Sequence, residues 1–198
     1  MNRALWGETT GAMYGLVNAA IQDLVTSKFG KDKWEAIKAK VGVDIGAFSR
    51  MEPYPDDLTY KLVGATSEVL GISADDALKA FGEFWVLYTG TAGYGDIMEM
   101  AGGSLRDFLF NLDNLHTRVG QSFPKLRPPS FRFDVIDDDL LRMHYHTGRE
   151  GLCPMVIGLL NGLAKRFESE LKIEHDRCKR NGAEHCEFLL TIGGGGPE

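Results

Sequence analysis

The sequence predicts an α+β protein, with an amino-terminal helical lobe and a carboxy-terminal lobe of helices packed on an antiparallel sheet. Apolar residues recur at helical spacing through the first half of the chain. The second half adds segments in which apolar and polar residues alternate, as they do in half-buried strands. Helices first, followed by helices mixed with turn-connected strands, is an order typical of the α+β class.

The composition restricts the function before any motif is considered. A chain of 198 residues with 43% hydrophobic residues can bury one sizeable core, or two lobes that share one. The formal net charge of −6 argues against a nucleic-acid partner. No stretch reaches the roughly 18 apolar residues of a membrane span, and residues 1–11 lack the apolar centre of a signal peptide. We therefore expect a cytoplasmic protein.

Helices are predicted through the first half of the chain. The first carries apolar residues at helical spacing from Leu16 to Val25 and ends near Gly30. The second covers residues 33–41. A proline-marked loop at residues 51–57 separates it from the third.

A fourth helix and a connector complete this half. Ser73 and Asp76 resemble a capping box, which opens a helix over residues 74–88. The segment 90–96, GTAGYGD, is rich in glycine. We predict a connector there, about which two lobes could rotate.

The second half mixes helices and strands. A helix over residues 104–119 carries its apolar side chains on one stripe. Apolar residues alternate over 131–135 and 141–145, which predicts two strands joined by a turn at residues 137–139. Pro154 suits the first turn of a helix that runs to about residue 171.

One histidine lies on an apolar stripe. His116 follows Leu105, Leu109 and Leu112 at helical intervals, so it shares their buried face. A histidine buried for packing alone fits this position. An axial haem ligand fits it as well, since that role needs a neutral imidazole in apolar surroundings. The position by itself leaves both interpretations open.

A second group of polar residues follows the strand at 141–145. In an extended chain, Tyr145, Thr147 and Arg149 point the same way. A phenol, a hydroxyl and a guanidinium form a compact set of donors for carboxylates, such as the two propionates of a haem. A polar strand end with one ion pair would explain the same residues.

Three motifs together identify a family that the chain resembles. They are NLDNLH, which carries His116, LRPPSF at residues 126–131, and YHTGR at residues 145–149. In order and spacing they resemble the H-NOX family, the haem domains that bind nitric oxide or oxygen in bacterial sensors and in soluble guanylate cyclase. The similarity covers residues 13–192. Residues 1–12 are then an amino-terminal extension, and the glycine-rich residues 193–198 a flexible tail.

The resemblance implies a haem b between a distal helical lobe, residues 13–73, and a proximal α/β lobe, residues 74–192. No CxxCH motif is present, so the haem is expected to bind non-covalently. His116 is then the axial ligand of the iron. Tyr145, Thr147 and Arg149 clamp the propionates, with Thr147 in place of the family's serine. Pro129 presses on the porphyrin and distorts it.

The distal side decides which gas binds. Oxygen-binding family members place a tyrosine there, whereas the matching position here is Met155, which cannot donate a hydrogen bond. Trp85 matches a bulky distal residue. The resemblance therefore implies a nitric oxide sensor that binds oxygen poorly and also binds carbon monoxide. An oxygen sensor is the alternative.

The resemblance also implies how such a sensor signals. Nitric oxide releases His116 from the iron, and a separate partner detects the change, such as a histidine kinase or a cyclic-di-nucleotide enzyme. No segment resembles a kinase or a cyclase, so we expect no enzymatic activity in this chain.

All three cysteines fall into one candidate metal site. The dipeptide Asn181-Gly182 predicts a hairpin between strands at residues 172–178 and 185–192. The hairpin would bring together ligands suited to a structural zinc, and some H-NOX proteins carry a zinc site of matching spacing. His185 is a competing ligand. The predicted set is Cys153, His175, Cys178 and Cys186.

Two other functions remain possible from the residues. A zinc enzyme built on the cysteine cluster is disfavoured, because four protein ligands leave no position for water. Without zinc, the thiols become candidates for redox sensing.

The pair Asp56-Asp57 could act as an acid and a base, but a solvated loop explains it better.

Overall fold

The computed structural model describes residues 12–123 and 125–193, without the side chains of residue 12 and residues 89–94. The predicted extension at residues 1–12 and the predicted tail at 193–198 therefore lie outside the described residues, apart from Ala12 and Gly193. None of the described helices has both the length and the apolar character needed to cross a membrane.

The first half of the chain is mostly helical, as predicted. A short antiparallel pair of strands joins its beginning to residues 53–55, in register from Ala12 with Pro55 to Tyr14 with Pro53. The elements in order are β1 (Ala12–Tyr14), α1 (Gly15–Phe29), α2 (Lys31–Val41), β2 (Pro53–Pro55), α3 (Asp56–Leu70), α4 (Ala74–Phe84) and α5 (Thr91–Glu99).

Local end signals set several of these boundaries. The Ser73 side chain accepts a hydrogen bond from the backbone N–H of Asp76 at 3.0 Å, which confirms the predicted cap of α4. Gly42 and Gly71 end α2 and α3 in the left-handed conformation, with φ of 75° and 68°.

Two predictions in this half are wrong. The loop at residues 51–57 contains β2, because β1 supplies the partner strand for its backbone. The segment 90–96 is not a connector, because α4 continues through a π-helical turn, Trp85–Gly90, directly into α5. Glycine costs only about 1 kcal/mol in a helix relative to alanine, so the surrounding structure overrides it.

The second half combines three helices with a four-stranded antiparallel sheet. The elements in order are α6 (Leu105–Phe110), α7 (Leu112–Ser122), β3 (Ser130–Val135), β4 (Leu140–His146), α8 (Cys153–Arg166), β5 (Glu170–Arg177) and β6 (Cys186–Gly193). The strands lie in the order β3-β4-β6-β5 and pair antiparallel, as the alternation predicted.

Three boundaries in this half differ from the prediction. The helix over 104–119 is broken at Asn111, whose φ of −92° and ψ of 2° lie outside the helical range. The helix that begins at Cys153 ends at Arg166 rather than near residue 171, because β5 already begins at Glu170. The turn at Gly182 follows a short 3-10 helix, so the hairpin connection is longer than two residues.

Two apolar cores follow from this arrangement. The first lies among α1, α2 and α3, and α4 contributes Phe81 and Phe84 to it. The second lies between the inner face of the sheet and α8, with Phe188 and Leu190 fully buried. The lobe boundary at residues 73 and 74 stays a prediction.

The helices α4 and α8 cross at glycines. A Cβ atom on Gly82 would lie 2.2 Å from the carbonyl oxygen of Met155, and one on Gly158 would lie 2.0 Å from that of Lys79. Any larger side chain would push the two backbones apart. This close crossing holds the two cores together.

Candidate functional site

A cavity of about 310 Å³ lies between the two cores. Its lining is mostly apolar, with side chains such as Val63, Leu112 and Leu160 on its walls. Volumes of this order are typical of sites that enclose a small organic ligand. The seven residues predicted to surround a haem all line this one cavity: Trp85, His116, Pro129, Tyr145, Thr147, Arg149 and Met155.

His116 lies half-buried on the cavity wall in α7. Asp113, three residues earlier, fastens this helix to β3. Its carboxylate accepts hydrogen bonds from the backbone N–H of Phe131 at 2.9 Å and from the hydroxyl of Ser130 at 3.0 Å. The ring of Phe131 stacks on the imidazole, with 5.9 Å between centroids. These contacts orient the His116 ring.

The electrostatics of His116 suit a metal ligand. Burial lowers its pKa, against a smaller raising effect of the Asp113 carboxylate. The ring is therefore neutral at neutral pH and has a nitrogen lone pair to offer a metal. Its Nδ1 atom is buried without a hydrogen-bond partner among the described residues. The described residues thus leave the hydrogen-bonding capacity of this buried nitrogen unsatisfied.

Tyr145, Thr147 and Arg149 form one hydrogen-bonded group at the cavity edge. Tyr145 is only 3% exposed, and burial raises its pKa to about 12. Its hydroxyl is hydrogen-bonded to Thr147, whose hydroxyl oxygen accepts the backbone N–H of Arg149 at 3.1 Å. The hydroxyl that threonine shares with serine is thus the part of Thr147 that joins the group.

The carboxylate that Arg149 meets in the structure belongs to Asp56, in the first turn of α3. Nε of Arg149 donates to Oδ2 at 3.0 Å, and Nη2 donates to Oδ1 at 3.3 Å. Nη1 donates to the carbonyl of Arg127 at 3.0 Å. Both side chains of the ion pair are mostly buried, so this two-point contact ties the loop after β4 to α3. The prediction of a solvated loop at Asp56 is wrong.

Two polar cavity residues of α3 were missed by sequence reasoning, Thr59 and Tyr60. The hydroxyl of Thr59 donates to Oδ1 of the buried Asn18 at 2.7 Å, and that of Tyr60 donates to the carbonyl of Glu150 at 3.0 Å. Their spacing of three and four from Asp56 places all three on one face of α3, a signal that the sequence does carry.

The remaining predicted residues lie on other walls of the cavity. Trp85 packs edge-to-face on Phe81, with 6.0 Å between ring centroids. Met155 lies on α8 next to the crossing with α4, and Pro129 lies just before β3. The cavity thus combines one neutral imidazole, apolar walls, and hydroxyl and guanidinium groups at one edge. This donor set fits a haem with its propionates at that edge.

The four predicted zinc ligands also come together. Cys153, His175, Cys178 and Cys186 place one donor atom each within 4.8 Å of one another. The Sγ atoms of Cys153 and Cys178 are 3.7 Å apart, and Nε2 of His175 is buried without a hydrogen-bond partner among the described residues. Burial raises the pKa of the Cys153 thiol, so a nearby cation is needed to ionise it at neutral pH.

His185, the competing ligand, belongs to a different group. Its ring lies with His144 and Glu187, whose outward position on β4 and β6 separates them from the cysteines. Successive side chains along a strand point to opposite faces of the sheet, so Cys186 faces inward while its neighbours face outward.

Comparison with known proteins agrees with this site. A family model described as haem-NO-binding matches residues 14–175. The soluble guanylate cyclase gcy-35 of Caenorhabditis elegans is 34% identical over 188 residues, which are 90% of this chain and 27% of that protein. The soluble guanylate cyclase 89Db of Drosophila melanogaster is 29% identical over 155 residues, or 78% of this chain and 23% of that protein. The chain therefore spans only part of these relatives.

Solved structures share the fold. An H-NOX protein from S. oneidensis in the Fe(II)NO ligation state has a TM-score of 0.84 at 21% identity, and the match covers 92% of this chain and all of that one. An unliganded Fe(II) H-NOX protein from K. algicida has a TM-score of 0.81 at 19% identity, covering 94% of this chain. Both align over the cavity and the sheet together, since the match spans nearly the whole chain.

Proposed function

The chain belongs to the haem-NO-binding family of gas-sensing haem domains, and from that premise we propose that it senses nitric oxide. The observation that carries the proposal is the neutral, half-buried His116 on the wall of an apolar cavity. When bound, a haem held by a single imidazole supplies an iron with one coordination position open to a diatomic gas. His116 would hold the iron, and Tyr145, Thr147 and Arg149 would bind the propionates.

The choice of nitric oxide over oxygen rests on the donors of the cavity. Bound oxygen carries partial negative charge and is retained by a nearby hydrogen-bond donor, whereas nitric oxide binds ferrous iron without one. Met155 has no N–H or O–H to offer. The hydroxyls of Thr59 and Tyr60 already donate to Asn18 and Glu150. Trp85 carries an indole N–H, and in our proposal this residue serves packing.

The signal would start at His116 and travel along α7. His116 would hold the iron, and its release when nitric oxide binds would be the first change in the protein. The helix α7 is hydrogen-bonded to β3 through Asp113, so a shift of the helix would move the strand as well. Two states with different surfaces are what a partner needs in order to respond.

The partner is part of the proposal. In the curated relatives the matched region is a minor part of a guanylate cyclase. For this chain we propose a signalling enzyme on a separate chain, such as a histidine kinase or a cyclic-di-nucleotide enzyme, and no catalysis by the residues described.

Spectra of the purified, haem-loaded protein test the gas assignment. The ferrous protein should retain its spectrum in air and change it on addition of nitric oxide. Of these two gases, only nitric oxide binds without a hydrogen-bond donor on the distal side. A stable oxygen complex in air would overturn the nitric oxide assignment and favour an oxygen sensor. Failure to retain haem at all would overturn both.

We also propose a structural zinc ion at Cys153, His175, Cys178 and Cys186. Four soft or borderline ligands within reach of one ion form a closed site, which supports folding and leaves no position for a substrate. Metal analysis of untagged protein should find zinc in the wild type and about one equivalent less per chain in Cys178→Ser, because that variant lacks one of four ligands. Equal zinc in both would contradict the ligand set.

A further inference from the structure

The outer face of the sheet carries a second group of metal-binding side chains. Along β4, Met143 and Tyr145 are buried and His144 lies on the opposite face. His144 pairs in register with Glu187 on β6, and His185 lies just before that strand. One donor atom from each of these three residues lies within 4.8 Å of the others. We propose that His144, His185 and Glu187 form a second metal site, for a divalent transition-metal ion.

The distances between the donor atoms fit a shared ion. Nδ1 of His144 lies 3.0 Å from Nε2 of His185, and that Nε2 lies 3.4 Å from Oε1 of Glu187. Two donors that are each about 2.1 Å from one ion lie roughly 3.0 Å apart at a right angle and roughly 3.4 Å apart at the tetrahedral angle. Both observed distances therefore match donors around a single ion.

Neighbouring side chains orient two of the proposed ligands, His144 and Glu187. Nε2 of His144 lies 2.9 Å from Oδ2 of Asp134, so a carboxylate holds the far side of the ring and turns Nδ1 toward His185. Oε2 of Glu187 accepts a hydrogen bond from Arg142 at 2.8 Å, which leaves Oε1 directed at His185. Arg177 approaches Oε1 only to 3.8 Å.

A hydrogen-bonded network without metal would have to satisfy the same atoms. In that case Nε2 of His185 would serve His144 and Glu187 at once, while its Nδ1 stays buried without a partner among the described residues. A single cation would instead take a lone pair from each of the three donors. The network is the competing explanation, and it predicts no specific metal binding.

The ligand set indicates the kind of ion. Imidazole nitrogen with one carboxylate oxygen suits Zn²⁺, Ni²⁺ or Cu²⁺ more than Mg²⁺ or Ca²⁺, which prefer oxygen alone. Three protein ligands leave positions open for water or a small ligand. The site thus differs from the closed cysteine cluster, and it does not depend on the haem proposal.

Titration with Ni²⁺ tests the site. Untagged, haem-loaded protein, with the cysteine cluster first filled by one equivalent of Zn²⁺, is titrated in a calorimeter at neutral pH. One further equivalent of Ni²⁺ should bind. His144→Gln and His185→Gln should each weaken this binding by about tenfold or more. Asp134→Asn, at a mostly exposed side chain, should weaken it less, because it disturbs only the orientation of the His144 ring.

His146→Gln is the matched control. Its ring stacks on His185 with 4.2 Å between centroids but contributes no donor atom to the group. The control should bind Ni²⁺ as the wild type does, because the His146 ring is not among the donors of the group. Absence of a Ni²⁺ site, or equal affinity in wild type, His144→Gln and His185→Gln, would overturn the proposal. Equal loss in His146→Gln would overturn the ligand assignment.

Discussion

The cavity and the cysteine cluster are the two inner regions to which we assign a metal, and they differ in how many ligands the described residues supply. The described wall of the cavity carries one imidazole, that of His116, among mostly apolar side chains. The cluster offers four donors within 4.8 Å of one another. One protein ligand leaves an iron open to a gas, whereas four close a zinc ion against everything else. In our proposal this difference separates a sensing site from a structural one.

The two regions nevertheless share the same elements. The helix α8 begins with Cys153 in the cluster and carries Met155 on the cavity wall two residues later. On the sheet, Tyr145 of the cavity pairs in register with Cys186 of the cluster. A metal that holds the cluster together would therefore also position two walls of the cavity.

Replacing the histidine of each region by glycine gives the largest expected effect. His116→Gly should abolish the ferrous haem spectrum of the wild type, because the cavity has lost its one imidazole, and added imidazole should restore it by occupying the same space. His175→Gly should keep that spectrum and lose zinc. Absorption spectra and metal analysis of both variants check the prediction. If His116→Gly binds haem normally without imidazole, the two regions do not divide the metals as we propose.

Removal of zinc should have the next largest effect, and on stability rather than on the spectrum. An ion bound at a hundredfold excess over its dissociation constant stabilises the fold by about 2.7 kcal/mol, or roughly 5–10 °C in unfolding temperature. A thermal unfolding curve with and without chelator should show this fall in the wild type. Cys178→Ser should start from the lower temperature and not respond. A wild type that is insensitive to chelator would contradict the structural role.

His116, the Tyr145 group and the cysteines could be singled out because their signals are local or rare, whereas Pro129, Trp85 and Met155 could be placed only by the family resemblance. The cysteines number only three, and all of them fall within one candidate site. The capping pair at Ser73 and the alternation along β4 depend on neighbours in the sequence. Such signals gave the fold class and the order of most elements correctly.

What the sequence did not predict depends on contacts between distant segments. The ion pair of Arg149 with Asp56 joins residues 93 apart, and the break at Asn111 lies in a stretch whose apolar spacing continues unchanged. His144 and His185 were not grouped because the contact depends on the register between β4 and β6. A one-residue change of register would place these side chains on the other face.

The edge of the cavity allows a finer test, because Arg149 has two possible roles. If it binds a propionate, Arg149→Ala should weaken haem binding by about tenfold, since a hydrogen bond to a charged group contributes about 1.5–3 kcal/mol. Asp56→Asn keeps the guanidinium, and the amide oxygen can still accept its hydrogen bonds, so haem affinity should fall by less than in Arg149→Ala. Haem transfer to a competing haem-binding protein measures both. An equal loss in the two variants would mean that Arg149 acts by joining β4 to α3.

The smallest expected effect is a dependence of stability on pH, and it distinguishes the cavity histidine from ordinary surface histidines. Burial holds the pKa of His116 below its usual value near 6.5, so below that pH the unfolded chain takes up a proton that the folded chain refuses. Stability is therefore complete above about pH 6.5 and falls as the pH decreases, by at most about 1.4 kcal/mol per pH unit for this one group. Urea unfolding of haem-free protein at pH 7.5 and pH 5.5 should show a smaller fall in His116→Gln than in the wild type. His175 shares the direction of the shift and remains in both proteins, so the difference between them isolates the cavity. An identical fall in both would mean that His116 is protonated in the folded chain, which would make it unfit to hold iron.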